Sequence, residues 1–317
     1  MSRMAVIENS KLSVIGAGSV GASLVYASLI RESANQVALY DIAAEKVEAE
    51  VLDLAHGTQF TRSSVSGGSD LDVVADSHVV VITAGAKQQP GQSRMELAGT
   101  NVGILERLLP QLLERAPDAI YVLVTNPVDV LTVAARQISG LPAERVIGSG
   151  TVLDTSRLRW LLAKRAGVLT SSVHADIVGE HGDTEFPLWS NARIGPVPIL
   201  DWTAGERFSI DELDGIAHEV RNAAYTVIRG KGATNYAIGL SGARIVEALL
   251  DDERAVLPVS TVHSGALGLD GIALSMPSVV GGNGAFPIAE TPISETEAGL
   301  LAASGDAIRA TMQTLGL

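Results

Sequence analysis

The chain contains no cysteine. Disulfides, thiolate metal centres and a cysteine nucleophile are therefore excluded. Basic residues are scarce: 23 lysines and arginines face 36 aspartates and glutamates, a formal net charge of −13. Such a balance argues against nucleic-acid binding through an overall basic field, and against a polybasic membrane anchor. Long linkers, low-complexity tracts and internal repeats are absent. What is present is a chain of 317 residues, 46% hydrophobic and 19% charged. That is enough for one large α/β domain or two ordinary ones with a sizeable core, and disorder is not expected as the main state.

One uncharged stretch, residues 12–30, approaches transmembrane length. Gly16, Gly18 and Gly21 interrupt it, and serines recur through it. A short β-branched run, a glycine turn and a helix explain it better. It also makes a poor signal peptide, because Glu8 precedes it and no small-residue cleavage pattern follows. We read the chain as cytoplasmic, with no membrane or nucleic-acid partner.

The first half alternates apolar runs (12–15, 36–40, 78–83, 120–125 and 145–147) with helix-length patterns at 20–31, 43–56, 95–115 and 128–139. Continuous Val/Ile-rich strands separated by helices predict an α/β fold with a doubly wound parallel (Rossmann) sheet. The second half changes character. Helical patterns fall near 153–165, 211–228 and 236–250, and strand-like runs at 173–178, 255–260 and 271–277. Ser294 and Glu297 form a capping box that opens a last helix. We place a dinucleotide-binding domain at 1–149 and a second, mixed α/β substrate domain at 150–317.

Gly16-Ala17-Gly18-Ser19-Val20-Gly21 fits G-x-G-x-x-G between a strand and a helix. Gly16 permits the tight turn, Gly18 lets the backbone approach a pyrophosphate, and Gly21 allows close helix–strand packing. The helix N-terminus offers N–H groups to that pyrophosphate. The next strand ends at Asp41, whose carboxylate can accept from both adenosine ribose hydroxyls and repels a 2′-phosphate. This predicts NAD rather than NADP. Lys46, on the following helix, can approach the adenosine side or face solvent.

Beyond this turn the sequence resembles the NAD-dependent L-lactate dehydrogenases of the lactate/malate dehydrogenase superfamily. The resemblance is carried by GAGSVG, LYD, TAGAKQQPGQSR, TNPVDVLT, RVIGSGTVLDTSRLR, GEHGDTEFPLWS, KGATNYAIGLS and LPVST, which span most of the chain. It implies that His181 is the acid–base residue. Imidazole suits that work because it titrates near neutrality. Asp154 would hold the tautomer and charged form of His181. Arg157, three residues on, would fork the substrate carboxylate. Arg94, after a Gly/Pro-containing stretch that looks like a lid, would stabilise negative charge on the reacting carbonyl oxygen. Gly85, Ala86, Val20 and Asn126 would line the cofactor, with Asn126 also near the substrate oxygen. No H-E-x-x-H or compact His/Asp spacing supports a metal.

Gln88 bears on the choice of hydroxy acid. A malate-selective member carries arginine at the matching position, whereas neutral Gln88 leaves a second carboxylate without a cation. With Thr234 lining the pocket, pyruvate and lactate are the expected substrates. The rival readings are malate or a bulkier 2-hydroxy acid, and a non-catalytic NAD-binding protein. The resemblance also implies a homotetramer, or a dimer at least. It suggests fructose 1,6-bisphosphate as an effector held by Arg159 and His174; the plain alternative is a solvated helix arginine and a surface histidine. His56, His78, His218 and His263, and the three tryptophans, carry no motif.

Overall fold

A computed structural model describes residues 7–86, 94–265 and 268–317. Its first part runs β1 (Lys11–Ile15), α1 (Ser19–Arg31), β2 (Gln36–Tyr40), α2 (Ala44–His56), β3 (Ser64–Gly68), β4 (Val79–Ile82), α3 (Arg94–Arg115), β5 (Ile120–Leu123), α4 (Val128–Ser139) and β6 (Val146–Gly148). These strands pair in parallel in the order β3-β2-β1-β4-β5-β6. Side chains alternate through the sheet. Leu12, Val14, Val79 and Val81 enter one apolar layer, and Ile15, Val80 and Ile82 enter the other. Two buried faces explain why these strands are uniformly apolar. The strand order reverses between β1 and β4, which is where a doubly wound sheet opens a crevice at its carboxyl edge.

The second part contains α5 (Val152–Ala166), β7 (Val173–His174), β8 (Ile177–Val178), β9 (Phe186–Pro187), β10 (Arg193–Ile194), β11 (Val197–Pro198), α6 (Ile210–Lys231), α7 (Tyr236–Leu250), β12 (Ala255–Val262), β13 (Ala273–Gly281), β14 (Gly284–Pro287) and α8 (Glu295–Leu315). The capping box of Ser294 and Glu297 is formed as expected.

Three features differ from the sequence reading. Residues 173–178 are not one strand. They divide into β7 and β8, which belong to different small sheets. The corner between them is pinned by Arg159, whose Nε donates to the Ala175 carbonyl at 2.9 Å and whose Nη2 meets Asp176 Oδ1 at 2.7 Å. Strand β3, SVSGG, has no apolar run to announce it. A Cβ on its Gly67 would lie 2.2 Å from the Leu39 carbonyl oxygen, so β2 and β3 approach closely only because glycine is there. Finally, the antiparallel strands β12–β14 continue the main sheet past β6, through the pairing of Ser260 with Gly148, giving nine strands among the described residues. Among the described residues, no helix is long and apolar enough to cross a membrane.

Candidate functional site

Gly16 has φ +111°, a conformation open to glycine, and a Cβ there would sit 2.8 Å from the Ala84 nitrogen. At Gly21 a Cβ would lie 1.8 Å from the Gly16 carbonyl oxygen, so α1 can pack on the turn only without one. Gly18 is different. A Cβ there would meet nothing within 4 Å. It would project into a cleft of about 770 Å³ that Gly18 itself lines. Gly18 is also the N-cap of α1 and provides no side-chain cap, so the first-turn N–H groups are left for a ligand.

Gly16, Gly18, Val20, Gly21, Asp41, Lys46, Gly85, Ala86 and Asn126 all line this one cleft. The Asp41 carboxylate accepts from the Ala17 N–H at 2.6 Å and the Ala43 N–H at 3.0 Å. Those bonds steady the glycine turn and leave acceptor capacity for a ribose. The volume, the uncapped helix end, the approach permitted at Gly18 and the acid at the end of β2 together fit a dinucleotide.

The opposite wall is tied by Asn101, a residue that sequence reasoning missed. It is buried on α3. Its Oδ1 accepts the Ala86 N–H at 2.7 Å, and its Nδ2 donates to the Asn126 carbonyl at 2.8 Å. One amide thus joins the ends of β4 and β5, and its sequence neighbours carry no signal of it. Asn126 accepts from the Val128 N–H through its own side chain at 3.3 Å, and the Asn126–Pro127 peptide is cis. Gln88 lies outside the described residues. Arg94 begins α3.

The group around His181 draws on α5, α4 and the loop between β8 and β9. Asp154, in the first turn of α5, is 1% exposed. Its Oδ2 is 2.7 Å from His181 Nδ1, and its Oδ1 accepts from Arg157 Nη1 at 2.5 Å. The i, i+3 spacing on α5 therefore places carboxylate and guanidinium side by side, and the bond uses one corner of the Arg157 fork. His181 keeps 27% of its side chain exposed. Burial alone would lower its pKa. The charge and hydrogen bond of Asp154, with the charges of Glu185 and Asp129, prevail and raise it to about 9. Burial likewise works to raise the pKa of Asp154, yet His181 and Arg157 hold it below the usual carboxylate range.

Glu185 and Asp129 were not singled out in the sequence. Glu185 is 4% exposed and 3.8 Å from His181 Nδ1. Burial and the charge of Asp154 push it up to about 8. Asp129, on α4, accepts the main-chain N–H of His181. Burial raises it to about 6, although Ser260 and the His181 N–H favour its ionised form.

Asp154, His181 and Glu185 bring one ligand-type atom each within 4.8 Å of one another. This compactness was not visible in their spacing, which had suggested no such cluster. Within the group, one Asp154 oxygen is bonded to His181 Nδ1 and the other to Arg157, so both carboxylate oxygens are already engaged.

Thr234 lies in the loop between α6 and α7, beside Ala233, which lines the cleft. Arg159 is occupied with Ala175 and Asp176, and exposed His174 sits opposite Arg193 in the β7–β10 pair. His263, which carries no motif, is buried with its Nε2 3.2 Å from the Leu274 carbonyl.

Residues 10–148 match the NAD-binding domain of lactate/malate dehydrogenase, and residues 151–315 match the alpha/beta C-terminal domain of the same family. The chain belongs to the lactate/malate dehydrogenase family. It is an NAD-dependent oxidoreductase. It is 48% identical to the L-lactate dehydrogenase of Bifidobacterium animalis subsp. lactis, across 98% of each chain. It is 44% identical to that of a Synechococcus strain, across 96% of this chain and 99% of the relative. Among solved structures it is similar to a lactate dehydrogenase from a deep-sea metagenome library, with a TM-score of 0.93 and 36% identity over 98% and 100% of the two chains. The minor L-lactate dehydrogenase of Enterococcus mundtii gives a TM-score of 0.92 at 39% identity, over 96% and 98%.

Proposed function

We propose that the chain is a cytosolic L-lactate dehydrogenase that interconverts L-lactate and pyruvate. Residues 1–149 hold the dinucleotide and 150–317 supply the acid–base and anchoring groups. The observation that carries this reading is the shared carboxylate of Asp154, with the His181 imidazole on one oxygen and the Arg157 guanidinium on the other.

NAD, when bound, supplies the hydride acceptor or donor. Gly18 and the open end of α1 bind its pyrophosphate, and Asp41 its adenosine ribose. Arg157 forks the substrate carboxylate, which fixes C2 beside the cleft. In pyruvate reduction, protonated His181 gives its proton to the carbonyl oxygen as that oxygen gains charge. In lactate oxidation, neutral His181 takes the hydroxyl proton, and Asp154 stabilises the resulting imidazolium. Arg94 would supply a second cation to the same oxygen, as the family resemblance implies. Asn126 and Thr234 line the substrate side. The neutral Gln88 amide leaves the second carboxylate of oxaloacetate unpaired, so pyruvate is preferred.

The test is kcat/KM for pyruvate over oxaloacetate with NADH. The ratio is expected above one, and Q88R should lower it by at least about 30-fold, the equivalent of a charge-assisted hydrogen bond of about 2 kcal/mol. A wild-type ratio below one rejects the lactate reading.

Exposed Tyr26 and Ile30 on α1, with Tyr236 and Leu240 on α7, offer apolar surface for further copies of the chain, in keeping with a homotetramer. Light scattering that shows a monomer at working concentration rejects this. Fructose 1,6-bisphosphate regulation through Arg159 and His174 requires a phosphate to compete with Asp176. Unchanged half-saturation for pyruvate with and without the bisphosphate removes it.

A further inference from the structure

Asp129 stands in the first turn of α4, three residues after Asn126, and is 2% exposed. A carboxylate at a helix start commonly serves its own helix. Asp129 does not cap α4: the N-cap is Pro127, and no side-chain cap bond is made there. Both of its oxygens go to other elements. Oδ2 accepts the main-chain N–H of His181 at 2.7 Å, and Oδ1 accepts the Ser260 hydroxyl of β12 at 2.6 Å. Burying a carboxylate is costly unless its lone pairs are matched, so a residue placed this deep with both oxygens used needs a reason beyond helix formation.

The reason lies in how the catalytic loop hangs. Gly179 is bridged to Ser275 of β13. The Glu180 N–H donates to Ser304 Oγ of α8 at 2.6 Å. The His181 N–H, next in line, goes to Asp129. Gly179 has φ +90°, so the chain turns sharply just before His181. After that turn, the bond to Asp129 holds the His181 main chain while its imidazole reaches Asp154.

We propose that Asp129 is a positioning residue for the acid–base step: it fixes the main chain of His181 between α4 and β12, and so couples the placement of the imidazole to Asn126 at the cofactor cleft. The proposal rests on the reading of His181 as the acid–base group. Asp129 also contributes to the field around that ring. The charged groups acting on His181 are Asp154 from α5, Asp129 from α4 and Glu185 from its own loop; Arg157 acts on Asp154 and Glu185, Glu180 acts on Asp129, and Arg221 of α6 donates to the Glu185 carbonyl at 2.8 Å.

Four variants test it: D129A, D129N, S260A and H181N, assayed with pyruvate and NADH, with the His181 ring titrated by NMR. Removing the anchor in D129A is expected to lower kcat by about 100-fold, the cost of an ångström-scale misplacement, while KM and the Kd for NADH change less than about threefold. D129N retains an acceptor oxygen for the His181 N–H. It should recover about tenfold of that loss, while its ring titrates at lower pH than in wild type because the charge is gone. If D129A does not fold, D129N and S260A decide. A downward-shifted titration in D129N with lowered kcat in S260A supports the proposal. Wild-type kcat and titration in both overturn it. So does a D129A protein that keeps kcat within about threefold and loses only thermal stability. Silent Asp129 variants beside an inactive H181N overturn this proposal alone; an active H181N overturns the acid–base reading as well.

Discussion

Asp154 sits almost without solvent between an imidazole and a guanidinium, and its charge organises both. Asparagine at this position keeps the shape and removes the charge. In D154N the charge of Asp154, the largest influence that raises His181 against burial, is gone, so the ring should titrate below about 9. We expect kcat/KM for pyruvate to fall by about 100-fold at neutral pH, within the range of a general acid's contribution. We also expect the alkaline limb of its pH profile to move to lower pH. An unmoved limb would show that Asp154 does not set the charge of His181. Asp154, Arg157 and His181 could be named from motif matches because their types and local spacings are distinctive. Asp129, Asn101 and Glu185 could not be assigned roles. Asp129 is 52 residues from His181 in the chain, and its meaning appears only where α4 meets the catalytic loop.

The elements that carry the cofactor were the most legible, because the chemistry of a glycine turn is local. Gly18 and Gly21 have the same side chain but opposite surroundings. Alanine at 18 adds a methyl group to open space in the cleft, whereas alanine at 21 drives one into the Gly16 carbonyl. G18A should therefore keep wild-type thermal stability and weaken NADH by about tenfold, roughly 1.4 kcal/mol. G21A should lose stability as well as cofactor affinity. Calorimetric titration and thermal melts check the pair; equal melts for both variants would contradict the packing account. The parallel strands β1, β2, β4, β5 and β6 were likewise visible, since burial on both faces leaves an unbroken apolar run. The strand β3 was hidden by its Ser/Gly composition. The β7–β8 corner was hidden because Arg159, 16 residues away in sequence, breaks the run.

Across the whole molecule, one sheet carries both halves of the site. The parallel strands present Gly16, Asp41 and Asn126 at their carboxyl ends, and β12 extends the same sheet to bring Ser260 under Asp129. The cleft and the His181–Asp154 group are thus parts of one framework. On the proposed reading, the proton on His181 governs which substrate form is held. A pKa raised to about 9 means the ring stays charged through neutral pH, and the charge is lost as pH rises through that value. A keto acid whose carbonyl accepts from the imidazolium should follow it. The direct measurement is the Kd of oxamate, a pyruvate mimic, for the NADH-loaded enzyme between pH 7 and pH 10.5. The account predicts tight, nearly constant binding up to about pH 9 and a rise in Kd approaching tenfold per pH unit beyond it. A Kd indifferent to pH across that range would contradict it.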